Sequence, residues 1–99
     1  MIEINPEQHQ LMESDIDQAI EFLNKEIPDW KSKINWDIFS FNSPRYCIAG
    51  QLKLDYLSNP GFNVSDKIIQ TLDFSLPSTS LYNAYQYMGN LWKQKAKPV

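Results

Sequence analysis

The sequence STSLYNAYQYMGNLWKQKA, residues 78–96, decides the fold class of this chain. Its apolar side chains recur at steps of three and four residues, which places them on one face of an α-helix. Ser78 or Thr79 is the expected N-cap, because a hydroxyl there accepts a hydrogen bond from an unpaired backbone N–H group. We predict a helix that reaches about Ala96. Its core-facing stripe comprises Leu81, Ala84, Tyr85, Met88, Leu91 and Trp92.

The chain before this helix is divided by prolines and small polar residues. A first helix is predicted from Ser14 to Ile27, because Ser14 and Asp17 resemble a capping box and Pro28 disfavours helical backbone at the residue before it. Residues 6–13 could add earlier turns, with Pro6 in the first helical position. The apolar stripe of this helix comprises Ile16, Ala19, Ile20, Leu23 and Ile27.

Two further helices are predicted between these. Ser43-Pro44 is a strong start signal, and the apolar residues from there to Leu57 surround most of the helix, which is typical of a buried central helix. Asn59-Pro60-Gly61 then forms a turn. Ser65 caps a short helix that runs through Leu72.

Residues 30–42 allow two interpretations. Ile34, Trp36 and Ile38 alternate as in a short strand, but they also fit an irregular or 3₁₀ connection. We favour the connection, because no second strand is available for pairing. The prediction is a mainly α fold, a compact bundle of about four helices with one irregular apolar connection. It forms a single domain over residues 1–99, with residues 1–13 and 96–99 expected to be the least ordered.

Composition excludes several function classes. The net charge is −3, and the basic residues are scattered apart from Lys93, Lys95 and Lys97, so we expect no binding to double-stranded nucleic acid. One cysteine cannot form an internal disulfide, and no apolar run approaches the roughly 20 residues that span a bilayer. We therefore expect a cytoplasmic protein that does not enter a membrane.

The sequence offers no catalytic or metal-binding set. The single histidine, His9, lies in a polar segment and is predicted to be solvated, without a partner. Cys47 falls on an apolar helix and is predicted to pack in the core. One Cys and one His supply too few ligands for a transition-metal site. We expect a protein without a cofactor and without enzymatic activity.

Two groups of residues are candidates for binding. Opposite the core stripe of the last helix lies an uncharged face, which we interpret as an interface with a partner or a second copy, because interfaces are depleted of charge and enriched in tyrosine. Phe22 lies off the stripe of the first helix and either packs with Leu11 or is an exposed anchor. The uncharged face comprises Asn83, Gln86, Tyr87, Asn90 and Gln94.

Gln51 and Asp55 form a narrow polar strip on the predicted central helix. Buried amides need hydrogen-bond partners, so Gln51 either ties the helix to a loop backbone or, with Arg45 and Asp55, contacts a ligand. We favour the structural role.

The middle and end of the chain resemble a family of small phage and bacterial proteins to which no activity is assigned. Its members combine a Pro-x-Trp turn, a connector rich in Ile, Leu and Asp, a Cys-[Val/Ile]-x-Gly-Gln-Leu segment, a Gly-Phe pair and a late Trp. The resemblance covers roughly residues 23–95. It departs at Asp73-Phe74, where the family usually has glycine before the aromatic residue, and of the connector's aspartates only Asp37 is kept. The matching segments are Pro28-Asp29-Trp30, Ile34 to Phe41, Cys47-Ile48-Ala49-Gly50-Gln51-Leu52, and Trp92.

This resemblance implies a phage-encoded protein. We expect it to act without catalysis, by binding and modulating a host protein, for example in counter-defence. The alternative is that it sequesters a small anionic nucleotide signal as a homo-oligomer that pools Lys and Arg from several copies. A single arginine and the absence of a glycine-rich loop disfavour this alternative.

Overall fold

The structure is a computed structural model that describes residues 4, 6–54, 61–72, 75 and 80–97. The described residues form five helices and contain no strand, so the mainly α bundle is confirmed. In chain order the helices are α1 Pro6–Glu26, α2 Trp30–Lys33, α3 Ile48–Leu52, α4 Asp66–Thr71 and α5 Leu81–Ala96.

Helix α1 begins eight residues before the predicted cap at Ser14. Pro6 occupies its first position, where the missing N–H group costs nothing and the fixed φ favours helix. Gln8 and Met12 are buried, so packing stabilises the early turns. Residues 6–13 therefore belong to α1. Ser14 lies inside the helix, and its hydroxyl accepts a hydrogen bond from Gln18 at 3.3 Å.

The predicted central helix from Ser43 to Leu57 is wrong over the described residues, since α3 has only five residues, and residues 55–57 lie outside them. Cys47 has extended backbone, with ψ of 174°, and its thiol caps α3 by accepting from the Gly50 N–H at 3.3 Å. A Cβ on Gly50 would lie 2.2 Å from the carbonyl oxygen of Pro44, so the turn before α3 folds back against the helix. Lys53 then ends α3 in left-handed backbone, with φ of 59°.

The connection over residues 30–42 contains one helical turn, α2, followed by tight turns. The backbone N–H groups of Ile38 and Phe39 donate to carbonyl groups three residues earlier, at 3.4 Å each. This local pairing replaces the strand considered as an alternative. Phe39 and Phe41 bury their side chains all the same, so the connection belongs to the core.

The last two helices are capped by serines. Ser65 caps α4 by accepting from the Ile68 N–H at 3.3 Å, as predicted. The cap of α5 is Ser80 instead of Ser78 or Thr79, and it accepts from the Asn83 N–H at 3.2 Å. Residues 78 and 79 lie outside the described residues.

An aromatic cluster joins the helices in the core. Trp30 meets Trp92 edge to face, with ring centroids 6.1 Å apart, and Phe62 stacks against Trp92, also at 6.1 Å. The Trp92 indole N–H donates to the carbonyl oxygen of Gly61 at 2.7 Å. Gly61 in turn lies directly on α1, where a Cβ would be 2.4 Å from the carbonyl oxygen of Asp15. One side of α5 is therefore covered by the aromatic cluster and by the backbone at Gly61, and its other side faces solvent.

Candidate functional site

The exposed face of α5 carries amides and one prominent tyrosine. Gln86, Asn90 and Gln94 are exposed, as the sequence predicted, and Asn83 is half-buried. Sequence reasoning missed Tyr82, whose side chain is 57% exposed and whose hydroxyl accepts a hydrogen bond from Gln86 at 2.7 Å. The i,i+4 spacing of Tyr82 and Gln86 was the signal that could have identified it.

Tyr87 leaves this face and turns towards α1. It is half-buried, and its hydroxyl oxygen lies 2.5 Å from Nδ1 of His9, whose ring meets the Tyr87 ring edge to face. Nε2 of His9 lies 2.8 Å from Oε1 of Glu13. A carboxylate only accepts hydrogen bonds, so a neutral His9 carries its proton on Nε2 and accepts from the Tyr87 hydroxyl at Nδ1. The prediction that His9 has no partner was wrong.

The same contacts continue to Lys95, which the sequence analysis named only among the basic residues near the end of the chain. Its Nζ lies 3.2 Å from Oε2 of Glu13 and 3.0 Å from Oδ1 of Asp17, inside the last turns of α5. The hydrogen bond to Asp17, followed by that to Glu13, raises the pKa of the Lys95 ammonium group. These contacts connect α5 to α1. They run from Tyr87 through His9, Glu13 and Lys95 to Asp17. His9 lines neither of the two clefts beside α5.

The described residues form two clefts that meet at Tyr85 of α5 and at the end of the connection. The first has a volume of about 150 Å³ and is bounded by the exposed amides of α5, by Asn42 and by Lys93. The second, of about 190 Å³, is lined largely by apolar and aromatic groups that include Pro44 and Phe62. Phe41, Asn42 and Tyr85 line both clefts and form the wall between them.

The side-chain amide of Gln51 forms hydrogen bonds within the chain. The sequence had allowed two roles for it, to tie a loop or to contact a ligand. Its Oε1 accepts from the Asn35 N–H at 2.7 Å, and its Nε2 donates to the carbonyl oxygens of Asn35 at 3.2 Å and Tyr46 at 2.9 Å. This side chain therefore holds two turns against α3. Arg45 is exposed nearby. Asp55 lies outside the described residues.

Phe22, the remaining candidate, is 36% exposed on α1. Although α1 does extend backwards, Leu11 is eleven residues away, which is about 16 Å along a helix, so the two side chains do not meet. Phe22 and the face of α5 are not brought together by any contact among the described residues.

No family model, curated protein or solved structure matches this chain. The resemblance to small phage and bacterial proteins therefore stays a prediction. Among the described residues, no three His, Cys, Asp or Glu side chains are grouped so that they could hold a metal ion. In that same part of the chain, every helix is too short or too polar to cross a bilayer.

Proposed function

We propose that this chain is a small non-catalytic binding protein that contacts a protein partner through the exposed face of α5. The observation that carries the proposal is the composition of that face. Tyr82, Gln86, Asn90 and Gln94 are exposed on consecutive turns without a charge among them, although solvated helix faces usually carry Lys and Glu. Exposed tyrosine and low charge distinguish interfaces from other protein surfaces.

The clefts beside this face support the same proposal. Partners bind most strongly where side chains enter pockets near the centre of an interface. Asn90 and Gln86 belong both to the exposed face and to the first cleft, so a partner that covers the face also covers a cleft opening.

The resemblance noted in the sequence sets the class of partner. It supports a phage-encoded chain that acts in the cytoplasm of a bacterial host by binding and modulating a host protein, with counter-defence as one such role. The same face could alternatively bind a second copy of the chain, so that the protein self-associates. The nucleotide alternative has less support, because phosphate groups call for several cations and, among the described residues that line the two clefts, Lys93 is the only cation.

The test is capture of bacterial proteins by the immobilised chain, compared between two variants with the same substitution. Gln86→Glu places a charge on the proposed interface, and Gln18→Glu places it on an exposed position of α1. We expect Gln86→Glu to lose the captured partner and Gln18→Glu to retain it. Light scattering on the purified chain identifies self-association. Equal capture by both variants, together with an unchanged oligomeric state, would refute the proposal.

A further inference from the structure

The two lysines near the end of α5 differ in their partners. Lys95 is held by two carboxylates, as described above. Lys93, one of the residues that line the first cleft, lies with its Nζ 5.9 Å from the centre of the Phe39 ring. None of the described carboxylates forms an ion pair with Lys93, and none lines the cleft. The cleft therefore presents a cation whose charge is not neutralised from within.

The other polar groups of this cleft are uncharged. Asn42, Gln86 and Asn90 each offer both donors and acceptors, which match the N–H and C=O groups of a peptide backbone. Gly89 also lines the cleft, and a Cβ there would come within 3.2 Å of the Cβ of Phe41. A cleft of this kind suits one carboxylate side chain whose flanking peptide groups bind the amides.

The charge of the whole chain limits how acidic the partner can be. At a net charge of −3, the chain as a whole repels an acidic surface. Attraction is local to Lys93, so the complementary feature is a single carboxylate on an otherwise uncharged segment.

The second cleft adds a requirement for an apolar group. It is bounded by Pro44, Cys47, Phe62 and the ring of Tyr85, and it shares its wall with the first cleft. In an extended segment, side chains two positions apart lie on the same side. One segment can therefore place a carboxylate in the first cleft and an apolar side chain in the second.

We infer that the paired clefts bind an extended segment of a partner protein that carries one Asp or Glu, held by Lys93, beside one apolar residue. This inference rests on the proposed function, because it assigns the partner's chemistry at the same face. It makes Lys93 the residue that determines specificity, with the amides of α5 and Asn42 as sequence-independent contacts.

The experiment is selection from a random-peptide library in which both ends of each peptide are joined to the display protein, so that no free C-terminal carboxylate is present. Selections are run in parallel on the wild-type chain, on Lys93→Glu and on Lys31→Glu. Lys31 is the matched control, because it is also exposed and also lies over a ring, 5.8 Å from the centre of Trp30.

We expect the wild type and Lys31→Glu to enrich peptides with Asp or Glu at one position and an apolar residue nearby. Lys93→Glu should enrich Lys or Arg at that position. A synthetic peptide of the wild-type consensus should bind Lys93→Glu about tenfold or more weakly, because two carboxylates then meet in the cleft. Replacing its acidic residue by the matching amide should remove most of this difference.

The outcomes separate the inference from the proposed function. Enriched peptides without an acidic position, or with the same sequences on Lys93→Glu, overturn the inference. If such peptides bind the wild type but not Gln86→Glu, the interface on α5 is supported, and only the requirement for an acidic residue in the partner is wrong. If no peptide is enriched on the wild type, the extended segment is refuted, and the capture experiment with Gln86→Glu and Gln18→Glu then decides the proposed function independently.

Discussion

The two sides of α5 differ in how closely the rest of the chain approaches them. On the packed side, Trp92 is fully buried in contact with two rings, its indole N–H donates to the Gly61 carbonyl oxygen, and Gly61 lies against the backbone of α1. On the cleft side, the nearest atom to a Cβ at Gly89 would be the Cβ of Phe41 at 3.2 Å, with the backbone N of Phe41 at 3.9 Å, and Phe41 lines both clefts. The contacts that stabilise the fold are therefore concentrated on one side of this helix, which leaves the other side available for binding.

The largest effect is expected from Gly61→Ala. The backbone at Gly61 has φ of 82°, which disfavours an L side chain, and the added Cβ would lie 2.4 Å from a carbonyl oxygen and 2.7 Å from the Cβ of Ala19. Neither neighbour can rotate away, because one is backbone and the other is the first atom of a side chain. We expect a loss of about 3 kcal/mol or more in the free energy of unfolding, measured by urea denaturation. A loss below about 1 kcal/mol would mean that the packed side is not closed by this contact.

The next effect is expected from Trp92→Phe. The ring remains aromatic, but the hydrogen bond to the Gly61 carbonyl is lost in a buried setting and a small cavity is left. We expect a loss of about 2 kcal/mol in unfolding free energy. Trp30→Phe is the matched control, because its indole N–H donates to Asn24, which is exposed and can bind water instead. Equal losses in the two variants would contradict the importance assigned to the Gly61 contact.

The sequence predicted the packed side of α5 well, because burial follows the helical period. Ala84, Met88, Leu91 and Trp92 are buried on one face, as predicted. The exceptions are Leu81 in the first turn, which is 39% exposed, and Tyr85, which is half-buried at the clefts. Periodicity failed for the predicted helix from Ser43 to Leu57. There the apolar pattern reflects a short helix that packs against its own preceding turn. That turn depends on the absence of a Cβ at Gly50, which lets the carbonyl oxygen of Pro44 come close to the helix. Local patterns do not carry such a contact between a turn and a helix.

The site was predicted in part for a similar reason. The uncharged face is visible on a helical wheel, but the contacts at its edges depend on which helix lies alongside. Tyr87 reaches His9 across 78 positions of sequence, and Lys93 and Phe39 are brought together by the connection. The sequence alone could not show that two lysines of one helix end have opposite surroundings.

A smaller effect is expected from Gly89→Ala, on the cleft side of α5. The substitution favours the helix by up to about 1 kcal/mol, because alanine loses less backbone entropy than glycine. The added Cβ would lie 3.2 Å from the Cβ of Phe41, which must shift slightly. At 3.2 Å the Cβ of Phe41 must give way by only a few tenths of an ångström, which requires a movement of its backbone. Since Phe41 borders both clefts, we expect the connection to allow this movement, so that unfolding free energy is unchanged or slightly higher. A loss above about 2 kcal/mol would show that the cleft side is as closely packed as the side at Gly61.

The smallest effect concerns Asp15 of α1, which lies next to Gly61 on the packed side of α5 and, within the described part of the chain, lacks a hydrogen-bond partner for one oxygen. Its carboxylate accepts a hydrogen bond from Ser65 and interacts with Lys67, yet one oxygen is buried without a partner among the described residues. Burial, the largest cause, raises the pKa of Asp15 above its usual 3.8, while Ser65 and Lys67 act in the opposite direction. The ionised carboxylate is therefore the form that the fold disfavours.

The sign of the pH dependence follows from this shift. Between the unfolded pKa of 3.8 and the higher folded value, the folded chain binds more protons than the unfolded chain, so the contribution of Asp15 to stability falls as pH rises. Below 3.8 the carboxyl group is neutral in both states and this penalty is absent. Asp15→Asn keeps an acceptor for Ser65 and removes the charge. We expect the unfolding free energy of Asp15→Asn, relative to wild type, to increase between about pH 3 and pH 7, and by less than it would for a fully buried carboxylate, because the group is partly solvated. A relative decrease over that range, measured by urea denaturation at both pH values, would mean that Ser65 and Lys67 outweigh burial and that the packed side accommodates the charge fully.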